Sequence, residues 1–140
     1  MRIRKLHTQR GGTTCVEMAV VGPLTLLILF GIIDVGMAVW SYNCIYTAAR
    51  EGARSAVVHG SKSIAPFGPT ANDSALDQAV RNYAFGLASS NLTVTSGWPD
   101  GNNMPGSRMS VRLDYKYYPV SILQLGRFTL HSSTIMAICH

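Results

Sequence analysis

Charged residues are scarce in this chain, and the positive ones are concentrated at one end. They make up 14% of the 140 residues, and the net charge is +5. From residue 13 onward, eight Lys or Arg residues face seven Asp or Glu residues, which leaves +1. The remaining cations precede the first acid and are Arg2, Arg4, Lys5 and Arg10. A nucleic-acid-binding protein is expected to carry its basic patch on the folded part, so nucleic acid is not an expected partner.

Candidate catalytic and metal-binding residues are also few. The four histidines have no ligand spacing with cysteine or acidic residues, and the three cysteines form neither a CxxC pair nor a zinc pattern. We find no nucleophile beside a base, no phosphate loop and no paired acids in a common predicted element. We therefore expect a protein that is not an enzyme and that uses no metal or cofactor.

Two of the cysteines fall on the same predicted helix. Cys15 and Cys44 would lie about 44 Å apart along a continuous helix, so they cannot pair within one chain. We expect both to be buried structural thiols, and Cys139 is left over beside the C-terminus.

A long apolar run follows the basic leader. Residues 18–33 contain no charge, and 35–49 contain none after Asp34. A membrane span needs ~20 mostly apolar residues, which predicts a transmembrane helix at about 16–40. The four leader cations place the N-terminus in the cytoplasm and the rest of the chain outside, in the periplasm of a bacterium. A cleaved secretory signal peptide is the competing interpretation, but the run is too long and lacks a small-x-small exit followed by polar sequence.

The predicted helix contains a proline, a charged residue and several small residues. Gly22 and Pro23 predict a kink, because a mid-helix proline removes one backbone hydrogen bond. Thr25 or a neighbouring subunit would satisfy the freed carbonyl. Asp34 either marks the far membrane interface or makes an inter-subunit contact. Ala48 and Gly52 have the small-x-x-x-small spacing that lets helices approach closely in membranes.

The residues beyond Arg54 predict a small α+β unit. Residues 55–70 indicate a linker, and an apolar face predicts a helix over 74–87, with Ser74 and Asp77 as its start signal. Alternation predicts strands at 92–96, at 109–117 and, more weakly, at 128–138. We therefore expect a long N-terminal pilin-like transmembrane helix (13–57), followed by a small α+β domain (58–140) of one helix and about three antiparallel strands.

Glu17 is the most informative residue of the apolar helix. A charge inside a membrane segment costs ~2.5–3.5 kcal/mol at mid-depth, so it needs a function. The run from Gly12 and Thr13 to Glu17 resembles the prepilin processing motif, in which a peptidase cuts after glycine and glutamate is fifth in the product. Two later segments, taken in order with it, are similar to the TadE-like family, although Met18 stands where the family usually has an aromatic residue. They are 30–36, with Asp34 and Gly36, and 48–54, with Ala49, Arg50, Glu51, Gly52, Ala53 and Arg54.

The resemblance implies a function for each part. Members of this family are minor pseudopilins of the Flp/Tad (type IVb) pilus and secretion apparatus. The resemblance implies that residues 1–12 are a prepilin-type leader and that a prepilin peptidase frees the amine of Thr13. Glu17 would pair with the Thr13 amine of a neighbour and so set the register of assembly. The implied partners are the bacterial inner membrane, other pilin or pseudopilin subunits, Tad assembly proteins and the peptidase. The alternative is an unprocessed single-pass anchor whose outer domain binds a protein partner.

Overall fold

The computed structural model describes residues 11–69, 73–119 and 126–139. Helix α1 is Gly11–Val58 and helix α2 is Ser74–Tyr83, and a short 3-10 turn at Ser89–Asn91 leads into the sheet. The strands are β1 (Leu92–Gly97), β2 (Arg108–Tyr117) and β3 (Phe128–Ala137). A long apolar helix followed by one helix and three strands confirms the predicted α+β class. Residues 1–10 of the predicted leader lie outside the described residues.

The three strands form an antiparallel meander in the order β1–β2–β3. The alternation of β2 is complete, because Met109, Val111, Leu113, Tyr115 and Tyr117 are all buried. Charged and polar residues alternate with them on the other face. The sheet therefore has one apolar face, and that face needs a covering layer.

The second half of α1 supplies this layer. Small and branched side chains on one face of the helix pack with the apolar face of the sheet and with α2 in a single core. They are Ile45, Ala48, Ala49, Ala53 and Ala56, all buried. The first half of α1 is not covered, and every residue from Thr14 to Ile33 is exposed or half-exposed. The molecule is thus a helix with a small head (the described residues of 59–139) packed on its far half.

Helix α2 starts and ends differently from the prediction. Asp73, not Ser74, is the N-cap, and its carboxylate accepts a 2.9 Å hydrogen bond from the Ala75 amide. Asp77 lies in the first turn and pairs instead with Arg81 at 2.7 Å. The predicted helix extended to residue 87, but α2 ends at Tyr83. Gly86 has a φ of +82°, a left-handed conformation that reverses the chain and that glycine adopts without steric cost.

The described part of the predicted linker is held against the head. The rings of His59 and Phe67 stack at 4.8 Å between centroids, and the Phe67 amide donates to the His59 carbonyl at 2.9 Å. The Asn103 side chain donates to the Phe67 carbonyl at 2.8 Å, and the Ser61 amide donates to the Asn103 carbonyl at 3.0 Å. These bonds tie the α1–α2 connection to the loop between β1 and β2.

Candidate functional site

The uncovered half of α1 carries a continuous run of exposed large apolar side chains. The helix is long and apolar enough to cross a membrane, and its most apolar part has no burial inside the molecule. Large side chains such as Leu24, Leu26, Ile28 and Ile32 are more than half exposed. Such a surface is stable only against lipid or against other helices, which makes the first half of α1 the candidate functional site.

The predicted processing and register residues lie at the start of this half. Gly12 and Glu17 are both exposed in the first two turns, and the backbone of Thr13 is helical. Five residues of helix separate the Gly12 and Glu17 α-carbons by about 7.5 Å along the axis. No residue in the described ranges makes a hydrogen bond or ion pair with Glu17. The carboxylate therefore faces outward from the single chain.

Helix α1 continues through Gly22 and Pro23 as one element. Pro23 cannot donate to the Ala19 carbonyl, which frees that carbonyl. The Thr25 hydroxyl does not replace the missing donor, because it donates to the Val21 carbonyl at 2.9 Å. The prediction that Thr25 satisfies the freed carbonyl is thus wrong. The kink at Gly22 and Pro23 stays a prediction.

Asp34 lies where the head meets α1. It is 6% exposed, and the Tyr117 hydroxyl donates to its backbone carbonyl at 3.1 Å. Burial raises the pKa of Tyr117, and the nearby Asp34 carboxylate raises it further. Asp34 is therefore enclosed within its own chain, at the first residue of α1 that the head covers. Gly36, two residues later, is exposed, and a Cβ at this position would meet no atom within 4 Å.

The segment 49–54 divides between the core and the surface. Ala49, Gly52 and Ala53 are buried beneath the sheet and α2. Arg50 and Arg54 are exposed and Glu51 is half-buried, and the Arg50 guanidinium lies 5.6 Å from the Tyr46 ring centroid. The small residues therefore serve head packing within the chain. The head buries Ala48 and Gly52, so the prediction that this pair lets helices approach closely in the membrane is wrong.

Sequence reasoning missed the contact between Gly86 and Trp40. A Cβ at Gly86 would lie 2.7 Å from Cη2 of Trp40, so the loop after α2 lies directly against the indole ring. Gly86 lies inside the predicted helix of 74–87, where an isolated glycine weakens the helix assignment, but nothing in the sequence indicates its distant partner.

The cysteine prediction is wrong for one residue. Cys15 is exposed and Cys44 is half-buried, and no disulfide joins cysteines of the described residues. Cys15 lies on the half of α1 that the head leaves uncovered, and no described residue buries it.

The outer face of the sheet carries a small polar cluster. Asp114 accepts hydrogen bonds from Arg112 at 3.1 Å, within β2, and from His131 on β3 at 2.5 Å. Burial opposes ionisation of Asp114, but the bonds from His131 and Arg112 outweigh it and lower the pKa of the carboxyl. The contact with His131 is a cross-strand hydrogen bond on the solvated face, and the contact with Arg112 is an ion pair within β2. In the described ranges, no three metal-ligating side chains come together.

Comparison with known proteins bears on the α1 segment. No curated protein and no solved structure matches the chain. The model of the family described as TadE-like protein matches residues 12–54, from the predicted processing glycine to the exposed Arg54. That match and the apolar helix fit a membrane protein associated with a Tad pilus. Residues 12–54 are thus similar to the TadE-like family, as their motifs predicted.

Proposed function

We propose that this protein is a pseudopilin-like structural component of a Tad/Flp pilus or secretion system. It is anchored in the bacterial inner membrane, with its N-terminus in the cytoplasm and its head in the periplasm. A prepilin peptidase processes it after Gly12, and it assembles through α1. The observation that carries the proposal is the family match over 12–54 combined with an exposed Glu17 five residues after Gly12.

The length of the uncovered helix supports the membrane placement. Residues 14–33 span about 30 Å at 1.5 Å per residue, the thickness of a bilayer's hydrocarbon core. The head begins to cover α1 at Asp34, while Val35, Val39 and Trp40 stay exposed, so the span of about 16–40 stays a prediction. The four cations of the leader favour the cytoplasmic side for the N-terminus.

Processing changes the chemistry of the N-terminus. Before cleavage the Thr13 nitrogen is an amide; after cleavage it is an amine whose ordinary pKa of about 7.7–8.0 keeps it largely protonated at neutral pH. Glu17 of one subunit then pairs with the Thr13 ammonium of its neighbour. This offsets the cost of a carboxylate in an apolar bundle, and a displaced register would leave both charges unpaired. Assembly is thereby coupled to cleavage.

The packing of the chain leaves the assembly surface available. The exposed branched side chains of residues 14–33 have no partner among the described residues of the head, so neighbouring helices can pack against them in the assembly. We propose a structural rather than an enzymatic role, because the uncovered helix is the feature that the family match and the exposed apolar side chains both single out.

A charge-removing variant at position 17 tests the proposal. Glu17→Gln keeps the shape and loses the charge, and we expect it to be inserted and processed but to be lost from the assembled complex. Glu51→Gln is the matched control, because it removes the same charge at the head end of α1. Normal incorporation of Glu17→Gln into complexes would contradict the register role. If Glu17→Gln is incorporated normally and the N-terminus is also uncleaved, the result would favour the alternative function, an unprocessed single-pass membrane anchor.

A further inference from the structure

Strand β3 forms an open edge of the sheet. It pairs with β2 on one side, and no hydrogen bond from outside the sheet reaches the backbone of residues 128–136 in the described part of the chain. The strand is ten residues long and contains no Lys, Arg, Asp, Glu, Pro or Gly. Natural proteins protect edge strands by shortening them, by placing charges or proline on them, or by covering them. Because β3 is long and uncharged, its outward amides and carbonyls can pair with another strand.

The opposite edge of the sheet is protected. Strand β1 has only six residues, and the Arg81 guanidinium donates to the Leu92 carbonyl at its start at 3.1 Å. Near its end, the Asp73 amide donates to the Ser96 hydroxyl at 3.1 Å, which holds the start of α2 beside the strand. Of the two edges, β3 is therefore the one that the described residues leave open.

A row of partly exposed side chains on α1 follows the open edge. Val35, Val39, Tyr42 and Tyr46 are 44–65% exposed and share one helix face, at the spacing i, i+4, i+7 and i+11. Val35 and Val39 line an apolar crevice together with Phe128, the first residue of β3. The row therefore lies on the flank of α1 that is next to β3.

Strand β3 runs alongside α1, away from the membrane. Its first residue, Phe128, is opposite Tyr117, whose hydroxyl donates to the Asp34 carbonyl at 3.1 Å. Just past its other end, the Cys139 amide donates to the Val57 carbonyl at 3.4 Å. A strand added beyond β3 would lie ~4.8 Å farther out and would direct every second side chain toward the exposed row on α1.

Arg50 adds a positive charge at the far end of the row. Its guanidinium donates to the Tyr46 hydroxyl at 3.3 Å and has no carboxylate partner in the described ranges. A second copy of the chain has no free acid to offer at this height, because Glu51 is half-buried and Glu17 lies about 50 Å away along α1. The other acids of the head cap α2 or bond a basic side chain, namely Asp73, Asp77, Asp100 and Asp114. This favours a different protein as the source of a carboxylate for Arg50.

We propose that β3 accepts an extended segment of another protein as a fourth strand of the sheet. The segment runs antiparallel to β3, with apolar residues at every second position against Val39 and Tyr42 and an acidic residue at its first position, beside Arg50. Main-chain hydrogen bonds hold the segment, and the alternating apolar side chains and the acid select it. The site uses the head and the adjoining half of α1, so it goes beyond the pseudopilin role and does not depend on cleavage after Gly12.

A synthetic peptide tests the site on the full chain in lipid nanodiscs. The probe is a fluorescein-labelled heptapeptide, Glu-Val-Thr-Val-Thr-Val-Thr, and the control peptide has the same composition with its valines consecutive. Fluorescence anisotropy should show saturable binding of the probe and roughly ten-fold weaker binding of the control peptide. Replacing the glutamate of the probe by glutamine should weaken binding by roughly two- to five-fold. Hydrogen exchange should show protection at alternate amides of β3 and no change in β1.

Two pairs of variants locate the bound segment. Tyr42→Ala removes a ring from the row and should weaken binding of the probe roughly ten-fold. Tyr83→Ala, which removes a similarly exposed ring from α2, should leave binding unchanged. Arg50→Gln should abolish the preference for glutamate over glutamine, whereas Arg112→Gln, on the outer face of the sheet, should preserve it.

Three results would overturn the fourth strand. The first is failure of the probe to bind, or binding without protection of β3. The second is equal protection of β1 and β3, which would contradict the assignment to this edge. The third is protection of β3 that rises with chain concentration in the absence of peptide, which would assign the edge to a second copy. Each of these results would leave the pseudopilin proposal intact, because none of them involves Gly12 or Glu17.

Discussion

Gly52 of α1 lies directly against Val80 of α2. A Cβ at position 52 would overlap with Cγ2 of Val80. Val80 is fully buried, so it has no open space in which to move. The absence of a side chain at Gly52 therefore sets how closely α2 packs on the long helix.

Gly52→Ala should destabilise the head despite the better helix propensity of alanine. Overpacking costs about 1–3 kcal/mol, and the propensity gain returns up to ~1, so the net loss is about 1 kcal/mol. Thermal unfolding of the detergent-solubilised chain, followed by circular dichroism, measures it. Gly36→Ala is the matched control, because a Cβ there meets nothing within 4 Å. If alanine at 52 costs as much in a Val80→Ala background as in the wild type, the contact is not the cause.

Gly86→Ala should also destabilise the head, for two separable reasons. Its positive φ costs an L-residue ~1–2 kcal/mol, and the new methyl group would clash with the Trp40 ring. We expect a lower midpoint temperature and an altered Trp40 emission, measured in a Trp98→Phe background. Trp40→Leu should relieve the clash and leave the backbone cost. An unchanged emission spectrum would show that the loop does not lie on Trp40.

Tyr117→Phe should loosen the membrane end of the head. It removes the hydroxyl that donates to the buried Asp34 carbonyl and keeps the ring, so the expected loss is about 0.5–1.5 kcal/mol. Hydrogen exchange should rise at the junction before it rises in the rest of the sheet. Tyr118→Phe, at an exposed neighbour, should change neither quantity. Equal protection in both variants would show that the Asp34 bond contributes nothing.

Acid should weaken the β1–β2 connection through Asp100. Its carboxylate accepts bonds from the side chain and backbone amide of Arg108, which hold the pKa of Asp100 at about 2, below its ordinary 3.8. Because the folded-state pKa is the lower one, this contribution to stability is complete above pH 4 and is lost as the pH falls toward 2. Denaturant titrations followed by Trp98 fluorescence should show a flatter profile over this window for Asp100→Asn. A profile identical to that of the wild type would contradict the assignment.

The sequence predicts the structure best in segments where the apolar residues follow one regular pattern. Five alternating apolar residues define β2, and the uncharged run defines α1, so both were predicted from local pattern. The end of α2 was missed because the apolar spacing continues to Leu87, whereas the helix ends at Tyr83 with Ala84 as its C-cap. The N-cap was misplaced by one residue because Asp73 and Ser74 are both good N-cap residues.

Long-range contacts were the part that local pattern could not supply. Gly52 was recognised as a small residue that permits close helix approach, but the approaching helix is α2 of the same chain. The sequence predicts an interface or an inter-subunit position for Asp34, but it does not indicate the contact with Tyr117, which lies 83 residues away. Such pairings depend on how the head folds back onto α1, which spacing within one element does not encode.

The N-terminus of the mature chain tests the central claim most directly. The full chain is expressed with a prepilin peptidase and the Tad assembly proteins, and its intact mass and N-terminal sequence are determined from the assembled complex. The proposal predicts a chain that begins at Thr13 and has lost all four leader cations, together with an uncleaved Gly12→Val variant that is absent from complexes. An assembled chain that still begins at Met1 would contradict it.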